Sequence, residues 1–543
     1  MKTMVKRKYF LGASAFILIL AAAVIGGRWL LASHAHAPSA PSVSAPSPPL
    51  RTSPHVAWCE SGLPESPYTS APDGAVTVPA GDDSSFDSSN PGTTYWFAPG
   101  THTDLSIATA DDDTYIGAPG AVINGGNNIQ YAFQGQYKDT ANQDVKIRYL
   151  TIKNFKPSQG GGAVNGSGNN GWTEEDNLME GNSPGAAMML GGDDLVKDNC
   201  LTENGEYGFN GYSFTDENYE RTFTGGALNI TFTGNDVSYN NTQRTASGVE
   251  GGGKFWQDGD VTVTGNYFHD NIDSPGVWMD TDNAGFLVKG NYFANNGGEG
   301  LMYEISYNAD IIDNTFVDNG IASGPANPGF PTGAIYISES GGNSTIPSNY
   351  AGELNIQDNV FDDNWGGVVL FQNSNRYAGD GQDPGTLTPP GGVNVYTWIN
   401  TVGPGKCPAH LAERSPTDYH SLCQWRTQNV IIHNNKFSFN PSDSVYRGKC
   451  SQADNCGQNG LFSPYSSTAA YPAYTVGNLI SNGQNNHFTN NTYQGPWSFV
   501  YFNQGQLATW SEWTTGVTNV NYSKYNFGAQ DAGSTFNPNP PAS

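Results

Sequence analysis

Two acidic residues occupy equivalent positions in two successive copies of one short sequence unit. When Gly276 is aligned with Gly300, Asp280 falls on Glu304. The two units then match along their length with an offset of no more than one position. A repeat of 23–25 residues is typical of stacked β-coils, in which equivalent residues are neighbours in parallel strands ~4.8 Å apart. Like charges directly opposed across strands destabilise a sheet, so a purely structural sheet should avoid them. This pair is therefore the leading candidate for chemistry.

The expected separation of the two carboxyl groups matches a hydrolytic arrangement. Strands at this spacing place the groups about 5–5.5 Å apart, which is the range of a retaining glycosidase. Repulsion raises the pKa of one group, which suits a general acid, while the other stays ionised and serves as a nucleophile.

Alternation along each strand predicts which side chains share a face with this pair, because successive residues point to opposite sides. The outward set spans three coils and comprises Lys254, Trp256, Asp258, Trp278, Asp280, Asp282, Met302, Glu304 and Ser306. The two tryptophans present apolar faces that suit a sugar ring. Lys254, His269 and Tyr303 are further candidate substrate contacts, although the alternation points Tyr303 inward.

Two other interpretations of the acidic residues stay open. Exposed Asp and Glu are ordinary on the solvated face of such a stack. Alternatively, Asp280, Asp282 and Glu304 supply hard oxygen ligands for Ca²⁺. With that ion bound, Lys254 would serve as the base of a lyase. The hydrolytic interpretation needs no cofactor.

The N-terminal sequence and the net charge indicate the compartment and the ligand class of the chain that positions these residues. Lys2, Lys6, Arg7 and Lys8 precede an apolar run, and an A-x-A-like site ends at Ala37, so residues 1–37 are predicted to be a signal peptide or, if uncleaved, an N-terminal membrane anchor. Without this segment the chain keeps 19 basic and 50 acidic residues, a net charge of −31. Such a charge argues against nucleic acid and polyanionic substrates and favours a neutral ligand.

The cysteine content fits an extracellular protein. An even number of six cysteines in an exported chain predicts disulfides rather than a zinc site, since no CxxC pair is present. Fifteen complete pairing schemes are possible, and spacing favours the one in which Cys450–Cys456 and Cys407–Cys423 close loops and Cys59–Cys200 remains.

A recurring asparagine marks a corner of each predicted coil. Its amide suits a left-handed corner and can bond to the equivalent amide of the next coil. Steps of 22, 25 and 23 residues indicate the bare coil, and longer steps indicate inserted loops. The corner residues are Asn177, Asn199, Asn235, Asn266, Asn291, Asn314, Asn359, Asn435 and Asn491.

These signals predict an all-β, single-stranded parallel solenoid with long inserted loops. The predicted core columns contain Val261, Val263, Phe268, Phe286, Val288, Phe293, Ile311, Ile312 and Phe316. We assign 38–75 to a Pro/Ser-rich linker and N-terminal segment, 76–505 to the solenoid, and 506–543 to a C-terminal cap and tail.

Residues 252–314 resemble the right-handed parallel β-helix (pectate-lyase-like) superfamily, through the runs GGKFW, GNYFHDN, GVWMDTDN and EGLMYEISYNA. From residue 76 onward the chain also resembles a family of exported bacterial β-helix repeat proteins. One branch of the superfamily, the β-helical glycosidases acting on xylosides, places a catalytic Asp and Glu on neighbouring coils. That resemblance implies Asp280 as nucleophile and Glu304 as acid/base, with Asp282 as the competing match.

The sequence thus predicts a secreted, monomeric carbohydrate-active enzyme, a retaining glycoside hydrolase acting on a neutral polysaccharide or oligosaccharide. A Ca²⁺-dependent polysaccharide lyase or epimerase is the alternative within the enzymes. A non-catalytic, cell-surface glycan-binding protein is the alternative outside them.

Overall fold

The chain winds into coils that each contribute one strand to three long sheets. The computed structural model describes residues 57–135, 142–212, 229–245, 251–256, 258–280, 283–326, 332–344, 352–372, 426–462, 479–501, 507–518 and 526–541. Within these residues the sheets contain 13, 14 and 13 strands, and successive coils pair in parallel. The result is the predicted all-β parallel solenoid.

The strands of each coil follow the order sheet A, sheet B, sheet C. Sheet A contains Val76–Val78, Thr94–Phe97, Thr114–Gly117, Lys146–Arg148, Thr173–Glu175, Leu195–Lys197, Thr231–Thr233, Gly259–Thr264, Ala284–Lys289, Tyr307–Ile312, Leu354–Gln357, Val430–His433 and His487–Thr489. Sheet B contains Gly81–Asp82, Gly100–Thr103, Ala121–Asn124, Thr151–Lys153, Leu178–Glu180, Cys200–Thr202, Asp236–Ser238, Tyr267–His269, Tyr292–Ala294, Thr315–Val317, Val360–Asp362, Lys436–Ser438, Thr492–Gln494 and Thr535–Asn537.

Sheet C carries the candidate pair. It contains Ile107–Ala108, Phe133–Gln134, Gly162–Asn165, Ala186–Leu190, Phe209–Tyr212, Gly253–Trp256, Val277–Asp280, Leu301–Glu304, Ile335–Ser338, Val368–Phe371, Gln458–Phe462, Ser498–Val500 and Leu507–Ala508. The last of these strands is antiparallel to its neighbour. A separate antiparallel pair joins Val517–Thr518 to Asn526–Phe527.

Helices are short. The α-helices of the described residues are Trp58–Ser61 and Trp510–Thr515. Single helical turns of other types lie at Gly324–Ala326, Ser444–Tyr446, Cys450–Gln452 and Leu479–Gly483. None of the helices in the described ranges has the length and apolarity needed to span a bilayer.

The predicted asparagines form a hydrogen-bonded ladder along one corner of the stack. The side-chain N–H of each residue donates to the side-chain oxygen of the next at 2.9–3.1 Å, from Asn177 through Asn491. At Asn291 the amide also donates to the carbonyl of Val263, so its buried polar atoms are satisfied. A second ladder, which the sequence analysis did not assign, runs five residues further on from Asn182 to Asn364 at 2.8–3.2 Å.

The sequence predicts a left-handed backbone conformation at the ladder asparagines themselves. The structure has it at the preceding residue. The positive φ belongs to the residue before each ladder asparagine, as at Gly290 (64°) and Asp313 (56°). Gly and Asp adopt this region at lower cost than most residues. The turn at that position aims the next side chain inward, where its amide meets the amide of the next coil.

The core is a continuous apolar column enclosed by the three sheets. Six stacked aromatic contacts join Phe232, Phe268, Phe293, Phe316, Phe361, Phe437 and Tyr493. Eight of the nine residues predicted for the core columns are fully buried. The prediction for Ile312 is wrong, because it pairs with Lys289 in an outward-facing column of sheet A and is only partly buried.

The two ends of the described chain are both attached to the stack. Cys59 is bonded to Cys200, which joins the helix Trp58–Ser61 to the outer face of sheet B, and Cys450 is bonded to Cys456. At the other end, Trp513 is fully buried against Phe499 and Phe527. The predicted pair Cys407–Cys423 and the predicted signal peptide lie outside the described residues.

Candidate functional site

Asp280 and Glu304 are directly aligned in neighbouring parallel strands of sheet C. The register pairs Met279 with Tyr303 and Asp280 with Glu304. Met279 and Tyr303 are fully buried in the core, whereas both acids are partly exposed. The two carboxyl groups therefore extend from the outer face of one wall, one strand spacing of ~4.8 Å apart at the backbone.

A cation lies against this pair. The Nζ atom of Lys254 is 2.6 Å from Oδ2 of Asp280, and the two side chains are only 10% and 15% exposed. The same Nζ lies 4.0 Å from the ring centroid of Trp278, which is within cation–π range. The sequence predicted that these three residues share a face, and the structure brings them into contact. The ammonium offsets the negative charge that two aligned carboxylates place on this wall.

Trp256 and Ser338 flank the two acids in the same column of sheet C, on the preceding and the following coil. Trp256 is aligned with Asp280, and Ser338 is aligned with Glu304. Trp256 is partly exposed, as a sugar-stacking residue would need to be, whereas Ser338 is buried and its hydroxyl donates to the carboxylate of Glu339 at 2.6 Å. The acidic pair is thus bordered by an aromatic residue on one side and a polar network on the other.

The outward alternation ends immediately after the acids, because the chain turns a third corner. Asp258 and Ser306, predicted to face outward, are fully buried. Asp258 accepts the N–H of Trp256 at 3.1 Å, and the hydroxyl of Ser306 donates to the carbonyl of Glu304 at 2.7 Å. Both residues therefore fix the backbone that carries the outer column rather than lining a cleft.

The turn beside Glu304 uses an unfavourable backbone conformation. Ile305 has φ +44° and is fully buried. Positive φ is an outlier for a β-branched residue and costs of order 1–3 kcal/mol. Such strain persists where the surrounding structure over-determines it, and functional sites are enriched in it.

Two candidate substrate contacts lie away from this wall. Tyr303 is fully buried, and its hydroxyl donates to the carbonyl of Tyr307 at 3.1 Å, which leaves it inside the core. His269 belongs to sheet B, where its ring nitrogens lie 3.0 Å from Asp236 and 2.7 Å from Asp270. Neither residue is positioned to contact a ligand bound beside Asp280.

The proposed calcium ligands are not all within the described residues, because Asp282 lies outside them. In the described part of the chain, no group of three or more His, Cys, Asp or Glu side chains is arranged to hold a metal ion. Asp280 lies 2.6 Å from the ammonium group of Lys254.

Beyond Glu304 the outer face of sheet C becomes apolar. Tyr336, Val369, Phe371 and Val500 form a buried cluster against which Met302 packs. Ser338 is a buried polar residue on that side, whereas Lys254 and Asn210 lie on the opposite side of the acidic pair. The wall is therefore asymmetric along the axis of the stack.

The segment that carries this site matches a known family model. Residues 210–351 match the model described as "Right handed beta helix region". The chain is a right-handed parallel β-helix. The matched segment of the β-helix includes both acids, Lys254 and Trp278. A comparison with curated protein sequences gives no match.

Several solved structures are similar to this β-helix. The A-module of a mannuronan C-5 epimerase from Azotobacter vinelandii aligns with a TM-score of 0.34 and 14% identity, over 55% of this chain and 85% of that one. The catalytic unit of a thermostable α-1,3-glucanase from Streptomyces thermodiastaticus gives 0.35 and 14%, over 57% and 65%. A mannuronic acid specific polysaccharide family 6 lyase from human gut microbiota gives 0.39 and 11%, over 76% and 80%.

Sequence reasoning missed one polar residue of this β-helix wall. Asn210 is aligned with Lys254 on the preceding coil. The next repeat follows only after a long insertion, so the 23–25-residue spacing does not bring Asn210 into alignment with Lys254. The signal that would have found it is the short run FNGY, whose alternation matches that of GKFW.

Proposed function

We propose that this protein is an exported carbohydrate-active enzyme, specifically a retaining glycoside hydrolase that acts on a neutral polysaccharide. The observation that carries the proposal is the register of Asp280 with Glu304 on the outer face of sheet C. Aligned side chains on adjacent strands are compatible with the carboxyl separation of about 5–5.5 Å that double displacement requires.

In this mechanism a carboxylate oxygen of Asp280 attacks the anomeric carbon of the sugar. Glu304 donates its proton to the glycosidic oxygen, so the leaving chain departs as an alcohol and a glycosyl ester forms on Asp280. Glu304 then removes a proton from water, which attacks the same carbon and releases the sugar with its configuration retained. Lys254 orients the nucleophile through the 2.6 Å contact.

The net charge of −26 supports a neutral substrate, since a negatively charged protein repels a polyanion. Trp256, which is partly exposed and aligned with Asp280, supplies an aromatic face for a sugar ring, whereas Trp278 is buried with the Lys254 ammonium over its ring. From the predicted signal segment we expect the enzyme to act outside the cell, as a monomer without a cofactor.

The proposal is tested by incubating the protein with a panel of neutral polysaccharides and measuring reducing ends. We expect Asp280→Asn and Glu304→Gln each to lower kcat by about 100-fold or more. Asp310→Asn is the matched control, because Asp310 is a partly exposed acid on sheet A that bonds to Asn355 at 2.9 Å. Retention of anomeric configuration by NMR is the second expected result, and inversion would contradict it.

A lyase or epimerase is the second candidate, because Lys254 shares the outer face of this wall with the two acids. It predicts unsaturated sugar ends with uronate polymers, or C-5 inversion, and loss of activity with a chelator. A glycan-binding protein predicts binding that survives the double variant Asp280→Asn/Glu304→Gln, with no turnover by the unmutated protein.

A further inference from the structure

Two buried polar atoms on the outer face of sheet C have no hydrogen-bond partner among the described residues. They are Oδ1 of Asn210 and Nε1 of Trp278. The two residues are 9% and 8% exposed. Leaving a buried donor or acceptor unpaired is costly, and native proteins seldom do so without a bound water, ion or ligand.

The two atoms belong to residues of one column on the outer face of sheet C, and the part of that column from Asn210 to Trp278 is called the row below. Asn210 is aligned with Lys254, and Lys254 is aligned with Trp278, so the three residues occupy the same column on consecutive coils. The row spans two strand spacings, about 10 Å at the backbone. This column runs beside the one that contains Asp280, toward the N-terminal side of the acidic pair.

The orientation of Asn210 is fixed by its surroundings. Its side-chain N–H donates to the carbonyl of Gly160 at 3.3 Å, which directs Oδ1 away from that loop. The N–H of Gly160 in turn donates to Glu206 at 2.6 Å, and Glu206 is fully buried. The loop is therefore held on both sides, and the amide oxygen is presented as a pre-positioned acceptor.

The chemistry of the row suits an uncharged, hydroxyl-rich ligand. Asn210 offers an acceptor and Trp278 a donor, and a sugar carries hydroxyl groups that satisfy both. The one cation in the row, Lys254, already lies 2.6 Å from Asp280, so the row adds no uncompensated positive charge that would select a uronate. On the other side of the acids, Met302, Tyr336, Val369 and Phe371 form an apolar cluster on the wall.

We propose that Asn210 and Trp278 form a subsite for a neutral sugar unit on the N-terminal side of the cleavage point. This inference rests on the proposed function and adds a direction to it. The substrate chain lies along the axis of the β-helix, and its units beyond the scissile bond extend from Asp280 toward Asn210. Asn210 then distinguishes longer substrates from shorter ones.

The test compares long and short substrates with the full chain. The probes are xylo-, cello- and manno-oligosaccharides of two to six units and the aryl monosaccharide of each sugar. For the sugar that is hydrolysed, we compare kcat/KM for the tetrasaccharide divided by kcat/KM for the aryl monosaccharide. Asn210→Leu is expected to lower this ratio about tenfold, mainly by raising KM for the tetrasaccharide. Trp278→Phe, which keeps a ring and removes the N–H, is expected to change the ratio in the same direction.

Met189→Leu is the matched control, because Met189 is the next residue of the same column, is buried, and offers no strong hydrogen-bonding atom. It should leave the ratio unchanged. Asn210→Asp, which keeps an acceptor oxygen, should recover part of the loss. Circular dichroism and melting temperature establish that each variant is folded.

The outcomes separate the subsite from the proposed function. Hydrolysis with an unchanged ratio in folded Asn210→Leu overturns the subsite alone. Binding without hydrolysis overturns the hydrolase, and the affinity of Asn210→Leu for the same tetrasaccharide then decides the subsite, with a roughly tenfold weaker Kd expected. Neither binding nor turnover of any probe by the unmutated protein overturns both.

Discussion

The ammonium of Lys254 is 2.6 Å from the carboxylate of Asp280 on a wall that also carries Glu304 in register. Parallel strands hold these groups at fixed spacing, so a like-charge pair on adjacent strands must be offset locally or tolerated. Lys254 supplies that offset from the preceding coil. The consequence is that the candidate nucleophile is held by an ion pair that is mostly removed from water.

We expect the Lys254–Asp280 pair to be energetically coupled. A double-mutant cycle with Lys254→Met and Asp280→Asn should give a coupling energy of about 1–3 kcal/mol in the free energy of unfolding. The pair Lys289–Asp313 provides the control, because its atoms are 3.7 Å apart and both side chains are 52% exposed. Exposed pairs contribute little, so coupling there should be small. Equal coupling in the two cycles would contradict the prediction.

A buried carboxyl in sheet A should make stability decrease as pH rises. Glu174 points into the core with both oxygens unpaired among the described residues. Burial raises its pKa well above the usual value, and the nearby charge of Asp194 raises it further. Burial likewise raises the pKa of Asp194 to about 8, although backbone N–H groups of Gly191 and Trp172 oppose the shift.

The direction of the effect follows from proton uptake. The unfolded chain releases both protons near pH 4, whereas the folded chain keeps them to higher pH. Between about pH 4 and 8 the unfolded state binds fewer protons, so the free energy of unfolding falls as pH rises. Glu174→Gln should flatten this decline in melting temperature. Glu175→Gln is the control, since Glu175 is outward and bonded to Lys197 at 2.8 Å; an unchanged slope in Glu174→Gln would refute the assignment.

His269 should act as a buried imidazolium that stabilises the N-terminal attachment. Burial alone lowers its pKa, but hydrogen bonds to Asp236 and Asp270 outweigh that effect and raise the pKa to about 9. Asp236 also accepts the backbone N–H of Cys59 at 3.0 Å. The network therefore connects His269 to the N-terminal helix.

Because the folded pKa is raised, this stabilisation is complete below about pH 6.5 and is lost as pH rises through about 9. Hydrogen exchange or limited proteolysis of the N-terminal segment should increase over that interval. His269→Gln should remove this pH dependence. His487→Gln is the control, as His487 is exposed and bonded only to Asn485 among the described residues. Persistence of the pH dependence in His269→Gln would contradict the role.

The asparagine ladder should be sensitive to single truncations. Asn291→Ala removes side-chain bonds to Asn314 and Val263 and leaves buried groups unpaired, so we expect a loss of about 2–4 kcal/mol in the free energy of unfolding. Asn355→Ala, which removes one partly exposed bond to Asp310, should cost less than about 1 kcal/mol. Chemical denaturation monitors both, and equal losses would argue against a structural role for the ladder.

The repeat in the sequence was enough to predict the register of the acids. The spacing of Gly276 and Gly300 fixes which residues align, and the parallel pairing follows it. The same repeat also contains a second asparagine, five residues after Asn266 and Asn291, at Asn271 and Asn296. Those residues form the second ladder.

The direction in which other side chains face depends on where each strand ends, and alternation alone does not specify those ends. Asp258 and Ser306 each lie two residues past the end of a strand, so the corner turns them inward. His269 lies between two ladder asparagines, on a short strand of sheet B, which separates it from the wall of Asp280. The contact of Lys254 with Asp280 depends on side-chain rotamers on two coils, and no residue pattern encodes that directly.

The amide ladders keep the spacing between coils the same, whatever the number of residues that connect one coil to the next. Asn177 and Asn199 are 22 residues apart and Asn359 and Asn435 are 76 apart, yet their side chains meet at 3.1 and 3.0 Å. A longer separation in sequence therefore leaves the stacking distance unchanged, because Asn435 occupies the same corner on the next coil. Evolution can therefore change the length of chain between coils while the spacing of the two carboxylates stays constant.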